Sequence, residues 1–173
     1  MSIKRKSVTL LQGAFDQKFF DSLREGSFFV LEGRPSLESG KNSCRELLKR
    51  KRQPTLIADN MAGFLFYKDL VSEVWMSYQA LDDKQGASCQ IGSLILAVLG
   101  NKHKVPVKLF PAKRKIKPVG DSKEIFYFAG QKVAPRNVRG FVPLVEWVPS
   151  KYITKVYKTS LGDNDDRRTN SKF

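Results

Sequence analysis

Hydrophobic and polar residues follow one another along this chain in blocks that predict strands alternating with helices. Short apolar runs predict strands at Ser7–Leu11, Phe28–Leu31 and Thr55–Ala58. Apolar residues spaced at helical intervals predict helices over Phe15–Arg24 and Gly40–Arg52. Because a strand, a helix and a further strand pack as a right-handed crossover, the strands of this region are predicted to be parallel.

The same alternation continues through the rest of the chain. The further predicted elements are a short helix at Asn60–Phe66, a strand at Glu73–Tyr78, a polar loop at Asp82–Gly86, an apolar helix at Cys89–Leu99, a strand at Val105–Phe110, extended segments at Ile125–Ala129 and Val142–Val148, and a helix from Pro149 to Tyr157. Five or six strands alternating with helices predict a three-layer α/β fold, a mostly parallel sheet with helices on both faces. We predict one such domain over residues 1–160 and a disordered polar tail over residues 161–173.

Polar side chains follow two of the predicted strands directly. Glu32 and Arg34 come after Phe28–Leu31, and Asp59 comes after Thr55–Ala58. Open α/β sheets bind ligands at the carboxyl ends of their strands, so the site is expected at this edge. The chain has neither the glycine-rich dinucleotide fingerprint nor a phosphate-binding P-loop, and no cofactor is predicted.

Composition narrows the class of protein. Two cysteines and one histidine in 173 residues do not indicate a disulfide framework or a metal site, and they favour a reducing, cytoplasmic compartment. The longest apolar run, Leu94–Leu99, is far shorter than the roughly 18 residues of a membrane helix, so no membrane partner is expected. The formal net charge of +14 favours a polyanionic partner, either nucleic acid, an acidic protein or a phosphorylated ligand. A solvated, lysine-rich surface is the alternative interpretation.

Four collinear segments resemble one known family. They read EGRPSLESGKNSCREL, PTLIADNMAG, QIGSLILAVLGNKHKVPVKLF and VPLVEWVPSKYIT, and together they extend from about Phe28 to Thr159. They are similar to motifs of the initiation factor 2B alpha/beta/delta and methylthioribose-1-phosphate isomerase family. The resemblance implies a Rossmann-like C-terminal half that often dimerises, preceded in the family by a small helical domain for which this chain has no counterpart.

The resemblance also implies a function, which the substitutions in this chain modify. Enzymes of the family isomerise a phosphorylated aldose to a ketose, and its regulatory members bind initiation factor 2 or sugar phosphates without catalysis. The family's catalytic aspartate aligns with Gln79, which cannot transfer a proton near neutral pH. The segment TLLQGAF, where the catalytic cysteine would be expected, contains none. Tyr78 replaces a small residue and is expected to fill the space of a sugar phosphate.

The resemblance leaves a candidate ligand-binding set of Arg34, Lys41, Gln79 and Gln90. Arg34 keeps an arginine of the family, suited to a bidentate contact with phosphate. Its alternative role is an ion pair with Glu32 or Glu38. We therefore predict a non-catalytic binding protein, acting with a phosphorylated small molecule and as a homodimer.

Two other hypotheses remain open. In the first, the protein is a divergent sugar-phosphate isomerase that uses Asp59, Asp82 or Asp83 as acids, although the position of Asp59 favours a helix N-cap over a catalytic role. In the second, it is a basic protein associated with nucleic acid, in which the cluster of cations at 113–117 contacts phosphates. A solvated loop is the plainer interpretation of that cluster.

Overall fold

A computed structural model describes residues 5–128 and 130–158 as an α/β fold. The strands are β1 (Val8–Gln12), β2 (Ser27–Leu31), β3 (Thr55–Ile57), β4 (Val71–Asp82), β5 (Gly86–Gln90), β6 (Val107–Pro111), β7 (Tyr127–Phe128), β8 (Gln131–Lys132), β9 (Val145–Pro149) and β10 (Lys155–Val156). The helices are α1 (Gln17–Asp21), α2 (Glu38–Lys49), α3 (Ala62–Tyr67) and α4 (Ser93–His103). Single 3-10 turns lie at Asp59–Met61, Ser122–Phe126 and Ser150–Tyr152.

The parallel strands stand in the order β3-β2-β1-β4-β6-β10. This is the order of a doubly wound sheet, in which the chain builds outward in opposite directions from the first strand. The reversal lies between β1 and β4, and their carboxyl ends flank the crevice where such sheets bind ligands. The predicted mostly parallel, Rossmann-like sheet is confirmed.

Alternation along the strands divides the core into two layers, one on each face of the sheet. In β2, Phe28 and Val30 face the cluster formed with α1 and α2, whereas Phe29 and Leu31 face the cluster formed with α3 and α4. The first cluster centres on phenylalanines of α1 and neighbouring strands, and Phe15 and Phe19 stack with ring centroids 4.0 Å apart. Helices therefore cover both faces, as the sequence predicts.

The predicted helix at Cys89–Leu99 is wrong at its start. β4 is 12 residues long and continues past its pairing with β6, and β5 folds back against it as a hairpin. The Asp82 carboxylate accepts hydrogen bonds from the backbone N–H of Lys84 and of Gln85, both 2.9 Å, and so holds the turn. A continuous apolar run does not distinguish a buried strand that leads into a helix from a longer helix.

The predicted helix from Pro149 to Tyr157 is also wrong. β9 pairs antiparallel with β5 up to Pro149, and β10 then pairs parallel with β6. The backbone of this segment bonds to the sheet instead of to itself, with Thr154 N donating to the Val107 carbonyl over 2.8 Å. The predicted tail at 161–173 lies outside the described residues.

Candidate functional site

The crevice between β1 and β4 is closed by short contacts between the chain segments that leave the two strands. The backbone N–H of Ala14 donates to Ser77 Oγ over 2.9 Å, and that of Lys113 donates to the Ala14 carbonyl over 2.9 Å. Gly13 has φ of +112°, and a Cβ there would lie 2.1 Å from Ser77 Oγ. Only glycine fits this approach, so the two strand ends meet with little space between them.

Gln79 takes part in this closure with both ends of its amide. Its Oε1 accepts from the backbone N–H of Ile116 over 2.8 Å, and its Nε2 donates to Ser88 Oγ over 3.4 Å. The recess that Gln79 lines has a volume of about 10 Å³. This is at the lower limit for one water molecule, so the crevice beside Gln79 has no room for a sugar.

Tyr78 does not produce that closure, and the expectation that its ring fills the crevice is wrong. Its side chain packs against the core layer of α3 and α4, and its hydroxyl donates to the Tyr157 carbonyl over 3.0 Å. The space is instead covered by the segment after β6, whose Ala112 N–H donates to the Tyr78 carbonyl over 2.8 Å. The side-chain periodicity of a strand explains the difference, since Tyr78 and Gln79 point to opposite faces.

Asp59 clamps the carboxyl ends of β2 and β3 together. Its carboxylate accepts from the backbone N–H of Gly33 over 2.9 Å and of Arg34 over 2.8 Å. The turn at Asp59–Met61 has Ala58 as its N-cap, so the predicted N-cap role of Asp59 is wrong. Burial and the neighbouring Asp59 raise the pKa of Glu32 above its usual value, against an opposing effect of Arg34.

The guanidinium of Arg34 contacts the hairpin of β7 and β8. Its Nη1 donates to the Tyr127 carbonyl over 3.2 Å, and its Cζ lies 4.9 Å from the centroid of the Phe128 ring. The predicted ion pairs of Arg34 are not formed among the described residues, and Glu38 pairs with Arg114 instead. Arg34 retains exposed donors beside a recess of about 50 Å³.

Gln90 lies at the same edge of the sheet. Its Nε2 donates to Ser39 Oγ over 3.0 Å, and both side chains line the recess beside Arg34. A Cβ on Gly33, which has φ of +73°, would lie 2.2 Å from Ser39 Oγ. Arg34 and Gln90 are therefore brought together, and Gln79 lines the neighbouring recess that Gln90 shares.

A wide opening at this edge, which we call the cationic cleft, has a volume of about 320 Å³. Its lining residues come from α2 and from the segments that follow β1 and β6: Ala14, Glu38, Ser39, Lys41, Asn42, Arg45, Lys113 and Arg114. In the described part of the chain, Lys41, Arg45 and Lys113 form no ion pair within 4.0 Å. Three unneutralised cations and two polar side chains can bind a phosphorylated sugar.

Gly40 explains why Lys41 can reach this position. A Cβ on Gly40 would lie 2.7 Å from the Leu31 carbonyl oxygen and 2.6 Å from that of Glu32. The first turn of α2 therefore rests directly on the end of β2. This contact fixes the distance of Lys41 from the strand ends.

Asp82 and Asp83 lie elsewhere. They line a separate cleft of about 220 Å³ at the turn between β4 and β5, together with Thr154 and Lys155. Asp83 pairs with Lys158 over 3.5 Å. Neither carboxylate lines the cationic cleft or the recesses beside Gln79 and Arg34.

Sequence reasoning missed several polar residues of this edge. Arg45 lies one helical turn after Lys41, which is the signal that could have placed both on one face of α2. Gln12 ends β1 and Ser93 begins α4, and both are buried. Within the described residues, Gln12 Oε1 and Ser93 Oγ have no hydrogen-bond partner. A glutamine at the end of an apolar run was the available signal for Gln12.

Neither Cys44 nor Cys89 lines the cationic cleft or the recesses beside Gln79 and Arg34. Burial raises the pKa of both thiols. The pKa of Cys89 is raised to about 12, by burial and by the nearby Glu146. In the ranges 5–128 and 130–158 no three histidine, cysteine or acidic side chains gather as metal ligands. Over the same ranges, no helix is both long and apolar enough to cross a bilayer.

Comparisons with known proteins agree with this architecture. The family model of the initiation factor 2 subunit family matches residues 8–162. The methylthioribose-1-phosphate isomerase of Pelotomaculum thermopropionicum is 30% identical over 144 residues, which are 77% of this chain and 40% of that protein. The isomerase of the same name from Koribacter versatilis is 29% identical over 140 residues, covering 74% of this chain and 39% of that protein.

Two solved structures share the fold at low sequence identity. Subunit delta of the translation initiation factor eIF-2B from A. fulgidus superposes with a TM-score of 0.74 at 20% identity, covering 89% of this chain and 52% of that one. The 5-methylthioribose 1-phosphate isomerase from Pyrococcus horikoshii OT3 gives 0.70 at 21% identity, covering 88% and 49%. The chain therefore spans about half the length of these structures and about 40% of the curated relatives.

Proposed function

This chain belongs to the initiation factor 2 subunit family, and we propose that it binds a phosphorylated sugar in the cationic cleft without isomerising it. The proposal rests on one contrast at this edge of the sheet: some polar and charged groups have partners within the protein and others do not. Lys41, Arg45 and Lys113 have no ion-pair partner among the described residues, whereas Gln79 uses both ends of its amide within the protein. Cations without partners are the groups that a phosphate can engage.

The lining of the cleft suits a small phosphorylated ligand. A phosphate carries nearly two negative charges, and the long side chains of Lys41 and Arg45 can contact it from one helix face. Ser39 and Asn42 also line the cleft and offer hydrogen bonds to sugar hydroxyls. The cleft volume of about 320 Å³ is at the small end of the range for ligand sites. A cleft of this size favours a monosaccharide over a larger ligand.

Isomerisation requires proton transfer, and the one acid among the described residues that lines the cleft, Glu38, is ion-paired with Arg114. The amide of Gln79 cannot act as a general acid or base near neutral pH. Asp59 lies at the strand ends, and both of its oxygens already accept backbone hydrogen bonds. Moving a proton with this carboxylate would require breaking the clamp between β2 and β3.

A second candidate function is catalysis itself, as a divergent sugar-phosphate isomerase. The relatives favour it, because the proteins about 30% identical to this chain are named methylthioribose-1-phosphate isomerases. Of the three acids predicted for this candidate, Asp59 lies at the strand ends next to Arg34, whereas Asp82 and Asp83 line a different cleft. Glu38 lines the cationic cleft itself and pairs with Arg114. The names of the relatives support the isomerase more directly, and the geometry around Gln79 supports binding alone.

One titration separates the two candidates. The purified chain is mixed with methylthioribose-1-phosphate, and heat of binding and the proton NMR spectrum of the sugar are recorded. We expect saturable binding of the phosphorylated sugar, no binding of unphosphorylated methylthioribose, and no appearance of the ketose. Appearance of the ketose at enzymatic rates would establish the second candidate. Equal or absent binding of the two sugars would contradict the first.

A further inference from the structure

Between β6 and β9 the chain makes a long excursion, of which Lys113 and Arg114 line the cationic cleft and the rest extends away from that cleft. More than thirty residues separate Pro111 from Val145, and their regular structure is one 3-10 turn and the two-residue strands β7 and β8. Connections of this length with little secondary structure are uncommon in compact folds and usually carry a function. We call residues 113–142 the basic lobe.

The two arms of the basic lobe are held together by hydrogen bonds and close packing. At its neck, Gly120 N donates to the Val142 carbonyl over 2.8 Å, and Leu144 N donates to the Pro118 carbonyl over 2.8 Å. Further out, a Cβ on Gly140 would lie 2.3 Å from the Ser122 carbonyl oxygen, so the returning strand of the lobe packs against the outgoing one. The lobe therefore presents its side chains from a defined scaffold.

The charge of the lobe is strongly one-sided. Its acids are Asp121 and Glu124, and Asp121 uses its carboxylate to cap the backbone N–H of Lys123 over 2.9 Å. Its cations are all exposed: Lys113, Arg114, Lys115, Lys117, Lys123, Lys132, Arg136 and Arg139. Among the residues that the structure describes, only Arg114 of this set forms an ion pair. Eight cations against two acids in one connection attract a polyanion.

Aromatic side chains stand exposed among these cations. Phe141 is 77% exposed, Tyr127 is 51% exposed and Phe128 is 47% exposed. Tyr127 and Phe128 are consecutive in β7, so their rings leave the strand on opposite sides, and the ring of Phe128 lies against Arg34. Tyr127 and Phe141 are thus free to contact a partner. Exposed rings interspersed with cations are the surfaces on which unpaired bases stack.

We infer that the basic lobe binds single-stranded nucleic acid, with its cations along the phosphate backbone and with Tyr127 and Phe141 stacking on bases. The combination of charge and aromatic rings decides between the polyanions. Phosphate contacts alone would suit any of them, whereas stacking requires bases that are not paired. This activity is separate from sugar-phosphate binding, because Lys123, Lys132, Arg136 and Arg139 do not line the cationic cleft.

Fluorescence anisotropy with a labelled single-stranded RNA of about 20 nucleotides tests the inference across a range of salt concentrations. We expect binding at about 50 mM salt that weakens linearly on a double logarithmic plot as salt rises. A duplex of the same sequence and polyglutamate are the competitors, and both should displace the RNA poorly.

Two sets of substitutions divide the charge from the stacking contribution. The variant Lys132→Gln/Arg136→Gln/Arg139→Gln should weaken binding and lower the salt slope by about 2, since each lost phosphate contact in a single strand removes about 0.7. The variant Tyr127→Ala/Phe141→Ala should weaken binding about thirtyfold or more with the salt slope unchanged, since each lost stacking contact removes about 1 kcal/mol or more. The matched control Lys18→Gln/Lys84→Gln/Lys102→Gln removes the same charge from exposed lysines outside the lobe and should change the affinity less than the lobe variant does.

Several results would overturn the inference. Absence of RNA binding at about 50 mM salt would do so, because phosphate contacts are strongest there. An equal loss in the control variant would reduce the effect to net charge. Polyglutamate or duplex competing as well as the single strand, with no effect of the aromatic variant, would assign the lobe to an acidic protein or to a general polyanion. Binding of the phosphorylated sugar should be unaffected by either lobe variant.

Discussion

The crevice beside Gln79 and the cationic cleft beside Lys41 lie at the same carboxyl edge of the sheet and share Ala14 and Arg114, yet they differ in every respect that matters for binding. The crevice has a volume of about 10 Å³ and the cleft one of about 320 Å³. In the crevice the polar groups of Ser77 and Gln79 are satisfied by neighbouring backbone. In the cleft Lys41, Arg45 and Lys113 form no ion pair among the described residues, and only Arg114 is paired.

This contrast shows how one edge of a sheet can be closed by internal hydrogen bonds at one point and stay open and charged at the next. The backbone N–H of Ile116 needs a permanent acceptor, and the amide oxygen of Gln79 can provide one because it takes part in no proton transfer. A general acid or base must instead exchange protons with a ligand, which requires space beside it. The predictions that follow test whether the two regions are energetically separate.

The largest effect is expected from Gly40→Ala, which should disturb both regions together. The added Cβ would lie 2.6 Å from a backbone carbonyl oxygen that cannot move aside, so α2 must shift away from β2. We expect a loss of about 3 kcal/mol or more in the free energy of unfolding, measured in urea.

Gly63→Ala is the matched control for this substitution. Gly63 lies in α3, and a Cβ there meets no atom within 4 Å, so the exchange should stabilise the protein by about 0.5–1 kcal/mol. A destabilisation of Gly40→Ala no greater than that of ordinary surface variants would mean that α2 does not rest on β2 as described.

The double substitution Lys41→Gln/Arg45→Gln should have the next largest effect, and only on the cleft. Removing two charge-assisted hydrogen bonds to phosphate should weaken binding of the phosphorylated sugar by about a hundredfold, by calorimetry. Stability should change by less than about 0.5 kcal/mol, because both side chains are exposed and unpaired among the described residues. The variant Lys18→Gln/Lys102→Gln, with the same loss of charge, should bind the sugar nearly as well as the wild type. Equal losses in the two variants would mean that binding depends on net charge and not on the cleft.

Gln79→Ala should act on the crevice and leave the cleft unchanged. The backbone N–H of Ile116 loses its acceptor and Ser88 loses a partner, at an expected cost of about 1–2 kcal/mol in stability. Gln79→Glu keeps an oxygen for Ile116 and serves as the matched variant, with a smaller loss. Sugar binding should stay within about twofold of the wild type in both. If Gln79→Ala weakened binding tenfold without loss of stability, the two regions would be one site.

The sequence predicts the features of this edge that depend on residues close together in the chain, and it fails for contacts between distant residues. The strands from β1 to β3 are predictable, because each is a short apolar run followed by a polar residue, and the parallel order follows from the crossovers. The closure of the crevice is not, because Gln79 meets Ile116 across 37 positions of the chain. Local patterns also fail where β5 runs into α4 without a polar interruption, and where β10 depends on a neighbour strand for its hydrogen bonds.

The same difference between neighbouring and distant residues applies to the predicted ligand-binding residues. Arg34 and Lys41 were found from local motifs, and the structure brings Arg34 and Gln90 to one recess. The partner of Arg34 was not found, because the hairpin of β7 and β8 that it contacts lies about ninety positions later in the chain. The clamp formed by Asp59 was missed for the same reason. A strand-end acid shows its position in the sequence but not which backbone donors will face it.

The smallest effect is expected from the carboxylate of Glu32 at the end of β2. Its pKa is raised from 4.5 in the folded protein, first by burial and then by Asp59. The folded state therefore binds more protons than the unfolded state just above pH 4.5, and stability falls as the pH rises through that window. Glu32→Gln removes this titration, so the variant should be more stable than the wild type at pH 7, by less than about 1 kcal/mol.

Urea unfolding of both proteins between pH 4 and pH 8 measures this difference, which should shrink toward zero at the acid end, where the carboxyl is protonated in both states. Glu46→Gln provides a control of opposite sign. Hydrogen bonds from Lys49 and Arg50 lower the pKa of Glu46, so its contribution is present above its unfolded value and is lost as the pH falls. That variant should be less stable than the wild type at pH 7. If Glu32→Gln also destabilised the protein at pH 7, the ionised Glu32 carboxylate would be stabilised by a favourable contact in the folded protein. Burial would then not be the dominant influence on its pKa.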